Sequence, residues 1–158
     1  MRVFTIKASR KKLFAVLMLA TAIFVVVVAF LSSHSAKNVV SQIENVNAHN
    51  ESERIAFLSQ FGWQVNEEPT EIREVIIPEQ FNEVYNNYNE IQIKQGFDLS
   101  KYKGCTVKRW TYTVVNYPNY ENSQVVLANL LIYDGRVIGG DICSTELDGF
   151  MHTFKMEK

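Results

Sequence analysis

The stretch Val125-Val126-Leu127-Ala128-Asn129-Leu130-Leu131-Ile132-Tyr133-Asp134-Gly135-Arg136-Val137-Ile138-Gly139-Gly140-Asp141-Ile142-Cys143 decides the fold class. Val125 to Tyr133 is almost continuously apolar, which suits a central strand covered on both faces. Asp134-Gly135 is a two-residue hairpin signal, because a type I′ turn needs positive φ at both central positions. Arg136 to Cys143 is then the return strand. Gly139-Gly140 inside it marks a bulge or a close approach of backbone. Upstream, Cys105 to Val115 carries Trp110, Tyr112 and Val114 on one face, and Tyr117-Pro118-Asn119 opens a turn. Downstream, Phe150, Phe154 and Met156 alternate with polar residues, a weaker strand over Phe150–Met156.

The part before this sheet changes period. Asn50 with Glu53 three residues on reads as a capping box. Ile55, Leu58 and Phe61 follow as an apolar stripe, and Gly62 supplies the C-terminal cap. Trp63 and Val65 alternate as a short strand. Thr70 to Ile77 is rich in Val and Ile and reads as a further strand, solvated at Glu71, Arg73 and Glu74. Pro78 suits the first turn of a helix, where its missing N–H costs nothing. Phe81, Val84, Tyr85, Tyr88 and Ile91 recur at three and four. Gly96 ends that helix, and Phe97 folds back on its last turn as in a Schellman cap. The expectation is an α+β domain, an antiparallel sheet of about four to six strands packed by two helices.

The N-terminal end has a different character. Leu13 to Leu31 contains no charge and no proline. As a helix it spans roughly 28 Å, close to the roughly 30 Å of a bilayer's hydrocarbon core. Arg2, Lys7, Arg10, Lys11 and Lys12 precede it with no acid among them, and Lys37 is the first base after it. The positive-inside rule keeps such an N-terminus cytoplasmic and sends the rest across. The run is longer than a signal-peptide core, and Ser33-His34-Ser35 is a poor cleavage site, so a signal-anchor is favoured over a cleaved leader. The expected layout is a cytoplasmic basic segment over 1–12, a transmembrane helix over 13–31, a helical stalk or linker over 32–49 and an extracytoplasmic domain over 50–158. Val39, Val40, Ile43 and Val46 keep helical spacing in the stalk, a stripe too short for a coiled coil.

Charge divides with the layout. The whole chain carries −1. Removing the five bases before Leu13 leaves −6 for the remainder, an acidic surface that argues against nucleic acid as a partner.

Several short strings carry a resemblance. They are Phe61-Gly62-Trp63-Gln64-Val65, Ile77-Pro78-Glu79-Gln80-Phe81 with Val84-Tyr85, and Gln95-Gly96-Phe97-Asp98-Leu99. Val137-Ile138-Gly139-Gly140-Asp141 and Gly149-Phe150-Met151 continue the series. Together they resemble an uncharacterised bacterial family, found largely in clostridia, known as domain of unknown function 4830. The resemblance implies an extracytoplasmic domain on a single membrane anchor. It brings no catalytic or binding residues with it.

No motif names a chemistry. The sharpest candidate is a thiol-dependent or hydrolytic enzyme, with Cys143 as nucleophile, His152 as base and Asp141 as orienter. Against it, Asp141 and Cys143 share a face for ordinary strand reasons, and no glycine elbow surrounds Cys143. Cys143 is more simply a small buried residue and Asp141 a cap or bulge partner. A Cys105–Cys143 disulfide is not expected. In a simple meander Tyr133 pairs with Arg136, Cys143 lies near Val126 and Val126 near Val114. Cys105 is then roughly 30 Å away, beyond the about 7 Å between Cα atoms that a disulfide tolerates. His34, His49 and His152 lack ligand spacing, so no metal site is assigned. Glu67-Glu68 and Glu71 to Glu74 read as a solvated face. Tyr85, Tyr88, Trp110 and Tyr112 fall at core periodicity, whereas Tyr117 and Tyr120 sit in a turn and are the better candidates for exposed contact. Asn50-Glu51-Ser52 matches a glycosylation acceptor but is more simply a helix cap.

The reading is therefore a single-pass, membrane-tethered module whose work is binding rather than catalysis. It assigns no catalytic, cofactor-binding or metal residue and no cofactor. Its partners are the membrane, through Leu13–Leu31, and a protein, peptide or envelope ligand of unspecified identity. A stalk-driven oligomer with a structural role is a third possibility, and the oligomeric state stays open.

Overall fold

The computed structural model describes residue 43 and residues 45–155. Strands β1 (Glu71–Ile76), β2 (Thr106–Thr113), β3 (Val126–Tyr133), β4 (Arg136–Ser144) and β5 (Met151–His152) form one sheet in that order. Every neighbouring pair is antiparallel. Helices α1 (Glu51–Ser59) and α2 (Glu83–Lys94) pack on it, and a 3-10 turn spans Leu99–Tyr102. This is the α+β class read from the sequence, with five strands and two helices. All of it lies within one compact unit, Val40–Lys158.

The two helices serve opposite faces. Along β3, Ala128, Leu130 and Ile132 point into the larger cluster with Phe57 and Leu58 of α1, joined by Trp63, Tyr112 and Phe154. Leu131 points the other way, into a smaller cluster with Ile77, Leu99, Val107 and Ile138, against which Tyr85 and Tyr88 of α2 pack. Apolar residues must serve both sides of β3, which is why its sequence reads as a continuous run rather than an alternation.

The helix ends follow local chemistry. Asn50 accepts the Glu53 N–H at 2.9 Å, and Glu53 answers by accepting from the His49 N–H at 2.7 Å and the Asn50 side chain at 3.0 Å. Both helices close in Schellman geometry. The Trp63 N–H reaches the Leu58 carbonyl across Gly62, and the Phe97 N–H reaches the Gln92 carbonyl across Gly96. Gly62 and Gly96 hold φ of +86° and +92°, where a side chain would be strained.

Several expectations shift. α2 starts at Glu83, not Pro78, because β pairing persists one residue past β1: the Ile77 N–H donates to Cys105 and its carbonyl accepts from Gly104. Asn82 then provides the cap, accepting the Tyr85 N–H at 2.9 Å. The apolar stripe of α2 is only half-buried, with Tyr85 and Tyr88, and Phe81 just ahead of the helix, packed on the smaller cluster. Asn89 and Gln92 are buried, while Val84 is 75% exposed. Val65 makes only an isolated bridge to Val114 in place of a short strand. Of the strand expected over Phe150–Met156, the described residues pair only at Met151–His152.

The Gly139-Gly140 pair shows both predicted features. The β3–β4 register slips by one between Leu131 and Ile132. A Cβ at Gly140 would lie 2.0 Å from the Asn129 carbonyl oxygen, and one at Gly139 would lie 2.9 Å from Gln92 Oε1. The slip moves Cys143 opposite Leu127 rather than Val126. Leu127 in turn faces Thr113, so Cys143 and Cys105 stay far apart, and both thiols are free.

No helix among the described residues is long and apolar enough to cross a membrane. The span read over Leu13–Leu31, the segment 1–12 and most of the stalk lie outside them. Of the stalk's end, Ile43 and Val46 pack against the larger core cluster, and Asn47 bridges Arg136.

Candidate functional site

On the α2 face, polar side chains cross the sheet in one line. The register sets Glu71 opposite Thr111, Thr111 opposite Asn129, and Asn129 opposite Asp141. Alternation puts all four on the same face. Thr111 donates to Asn129 Oδ1 at 2.8 Å, and Asn129 Nδ2 donates to Asp141 Oδ2 at 3.0 Å. From α2, the Tyr88 hydroxyl donates to Asp141 Oδ1 at 2.8 Å. Both oxygens of the carboxylate are thus engaged, as a group only 2% exposed requires.

The next residue pair in β1 and β2 is Arg73 opposite Arg109. Like charges set directly across a sheet repel, and Glu71 lies between them. Its carboxylate takes Arg73 Nε at 2.7 Å on one oxygen and Arg109 on the other. The hydrogen bond from Arg109 is the main reason the Glu71 carboxyl titrates below its usual range. Arg109 Nε is buried without a hydrogen-bond partner.

Between this floor and α2 lies a cleft of about 260 Å³. Arg109, Asn129 and Asp141 form its polar base, Tyr85 and Tyr88 one wall, and Val75, Leu131 and Met151 apolar surface around them. A concave, largely apolar space with a few converging polar groups is the usual form of a small-molecule site, though this one is smaller than most. A hollow of about 460 Å³ near the β3–β4 turn is wider, but Glu74, Lys108 and turn residues line it and no buried polar side chain does.

Burial dominates the electrostatics. It raises the Asp141 carboxyl above its ordinary range, against the opposing pull of hydrogen bonds from Asn129 and Tyr88. It pushes the Tyr88 hydroxyl well up, helped by the Asp141 charge. Burial first, and Asp141 second, push the Cys143 thiol to about 12. A thiol in that state is protonated at neutral pH and is a poor nucleophile.

The three residues of the thiol constellation do not meet. Asp141 and Cys143 share the α2 face, and Asn129 Nδ2 lies 3.4 Å from Cys143 Sγ. His152 pairs with Ile142, whereas Cys143 pairs with Met151. His152 therefore points to the other face. There its ring stacks on Phe150 at 5.4 Å. Its Nδ1 lies 2.6 Å from the Thr153 carbonyl and must donate to it, leaving Nε2 to accept from the Tyr117 hydroxyl at 3.1 Å. An odd number of strand positions between a base and its nucleophile suffices to separate them.

Tyr117 and Tyr120, the turn residues singled out for contact, are only half-exposed. Tyr117 stacks on Trp63 at 5.5 Å and on Phe150 at 4.7 Å, and Tyr120 donates to Glu146 at 2.9 Å. Among the described residues no group of three or more His, Cys, Asp or Glu is placed to hold a metal ion.

Sequence reasoning passed over Arg109 and Asn129. Both had a signal. Asn129 is the lone polar residue inside an apolar run, and a buried amide needs partners. Arg109 and Thr111 alternate with Trp110 and Tyr112, so β2 had a second, polar face to explain.

A family model described as Domain of unknown function (DUF4830) matches residues 57–142. The chain belongs to this family. The DUF4830 match takes in Glu71, Tyr88, Arg109, Thr111, Asn129 and Asp141, the polar row and its neighbours, and stops one residue before Cys143. His152 lies outside it. No curated protein and no solved structure matches the chain.

Proposed function

We propose that this DUF4830 chain is a membrane-tethered, extracytoplasmic binding module that holds its ligand in the cleft between α2 and the sheet. The observation that carries the reading is the convergence of Arg109, Asn129 and Asp141 at the base of that cleft, under two tyrosines. Polar groups cost free energy to bury and are kept where they are used or fully paired. Here the paired ones, Asn129 and Asp141, lie beside a guanidinium with an unpartnered Nε. Tethering is supported by the charge-free run Leu13–Leu31 and the five bases ahead of it.

The test uses the full chain carrying ¹³C-labelled Met and Ile methyl groups. Met151 and Ile76 border the cleft, and a fragment library is screened against their resonances. Saturable shifts at these two methyls, abolished by a cleft-filling Leu131→Trp substitution, are the expected result. A library with hits only elsewhere on the domain removes the cleft from consideration. For the tether, blotting of membrane and soluble fractions is decisive. Full-length protein released only by detergent is expected; a product shorter by about thirty residues in the soluble fraction contradicts an uncleaved anchor.

A further inference from the structure

We infer that the cleft selects a small organic acid, its carboxylate drawn to Arg109 and its apolar body lying along Val75, Leu131 and Tyr85. This inference rests on the cleft being the ligand site and adds the chemistry of the occupant.

The choice between an acid and an amine follows from which charges are already spent. Asp141 is the only carboxylate among the cleft-lining residues. It is 2% exposed, and both its oxygens accept hydrogen bonds from within the protein. At that burial little of the carboxylate surface is left for an ammonium ion entering the cleft to touch. The unused hydrogen-bonding capacity lies on the cationic side instead. Arg73 and Arg109 face each other across β1 and β2 and share the one carboxylate of Glu71. Arg109 also feels the charge of Asp141, to which it makes no hydrogen bond. Arg109 offers five N–H donors in a planar fork. Among the described residues it uses one nitrogen, on Glu71, and its Nε is buried with no acceptor. The Arg109 side chain is 35% exposed, so part of the fork stays open to an incoming oxygen. Guanidinium and carboxylate match in geometry as well as charge, which is the usual reason for Arg rather than Lys at an acid-binding site.

The remaining surface fits the rest of such a molecule. Val75, Leu131, Met151 and the Tyr85 ring offer apolar contact within about 260 Å³. That space admits a body about the size of a phenyl ring and excludes a folded polypeptide surface. A peptide would enter only by a terminal residue, presenting its own α-carboxylate.

Three probes of matched shape test the inference on the full chain: 3-phenylpropionate, its neutral amide 3-phenylpropanamide, and 3-phenylpropylamine. Titration is read at the Met151 and Ile76 methyls. The acid is expected to saturate at millimolar concentration, the amide to bind at least tenfold more weakly, and the amine to leave both methyls unmoved. Arg109→Gln is expected to bring the acid to the level of the amide. Arg73→Gln, at an exposed position that leaves folding intact, is expected to weaken the acid two- to fivefold and the amide not at all. Amide and acid binding equally, or the amine binding tightest, overturns the inference while the cleft stands as a ligand site. If none of the three moves either methyl, the acid inference falls. The wider fragment screen then decides the cleft separately, since neutral fragments that shift Met151 would preserve it.

Discussion

The two faces of the sheet solve burial in different ways. The α1 face is filled by large side chains, with Phe57, Leu58, Trp63, Tyr112 and Phe154 among the most buried in the molecule. Its rings meet edge-on or stacked, as Phe57 does with Phe154 at 5.1 Å. It admits one cation, Arg54, whose guanidinium lies 3.6 Å over the Trp110 ring while Nε donates to Tyr112. The α2 face buries amides and a carboxylate. Gln92 accepts the Gly140 N–H at 2.8 Å, and Gln95 joins the Gly140 carbonyl to the Phe154 N–H. Filling one face with apolar volume stabilises the fold by non-directional burial. Lining the other with polar groups leaves a structure whose parts must each find a partner, and the cleft opens on that side. The contrast places the larger apolar core on one side and the polar row with its cleft on the other.

The largest expected break in this contrast is Trp63→Ala. Trp63 is 1% exposed and its indole N–H donates to the Phe154 carbonyl at 2.6 Å. A loss of about 3–5 kcal/mol is expected in denaturant unfolding. If Trp63 serves only the α1 face, probe binding in the cleft is unchanged under conditions where the variant remains folded. The second test concerns Cys143. With its thiol pushed up to about 12, alkylation by iodoacetamide at pH 8 should run about a hundredfold or more slower than for an unstructured cysteine peptide. Intact-mass spectrometry with time reads this directly, and a fast-reacting Cys143 would revive the thiol chemistry that the register argues against.

Tyr88→Phe comes next. It removes a hydrogen bond to a buried carboxylate, at a cost of about 2 kcal/mol near neutral pH. The sign of its pH dependence is specific. Burial raises the native Asp141 pKa above its unfolded value, so ionisation of Asp141 opposes folding, and its favourable contribution is full below the unfolded pKa and lost as pH rises through the native one. Without the Tyr88 hydroxyl the ionised form is held less well. The deficit of Tyr88→Phe relative to wild type should therefore be small in acid and grow as pH rises through the Asp141 titration. A deficit independent of pH would mean that Asp141 is not the partner that matters. The smallest effect is expected at Asn50→Ala, about 1 kcal/mol from loss of the α1 cap. It should leave the α2 face and its probe binding untouched.

Much of the frame was legible in one dimension because it depends on neighbours in the chain. The Asp134-Gly135 hairpin, the Asn50 cap, the Gly62 and Gly96 terminators and the apolar run of β3 all express short-range rules. The Gly139-Gly140 pair was legible as an irregularity, though not which backbone it admits. The site was less so. Tyr88 reads as core, Asp141 as a cap or bulge partner, and Asn129 and Arg109 carry no role in sequence, because their meaning depends on strands and a helix distant in sequence.

The amino-acid order by itself determined the class of the fold, the position of the hairpin, the Asn50 start of α1 and the helix ends at Gly62 and Gly96, since these arise from backbone conformations that each residue favours or forbids. It also determined that Asp141 and Cys143 would share a face, because a strand repeats every two residues. Only the tertiary structure decided that His152 lies across the sheet from them, that one bulge moves Cys143 from Val126 to Leu127, and that Tyr88, Asn129, Asp141 and Arg109 gather under one cleft. Those outcomes follow from strand register and from the packing of α2, and both are settled by the burial of the whole chain rather than by any segment of it.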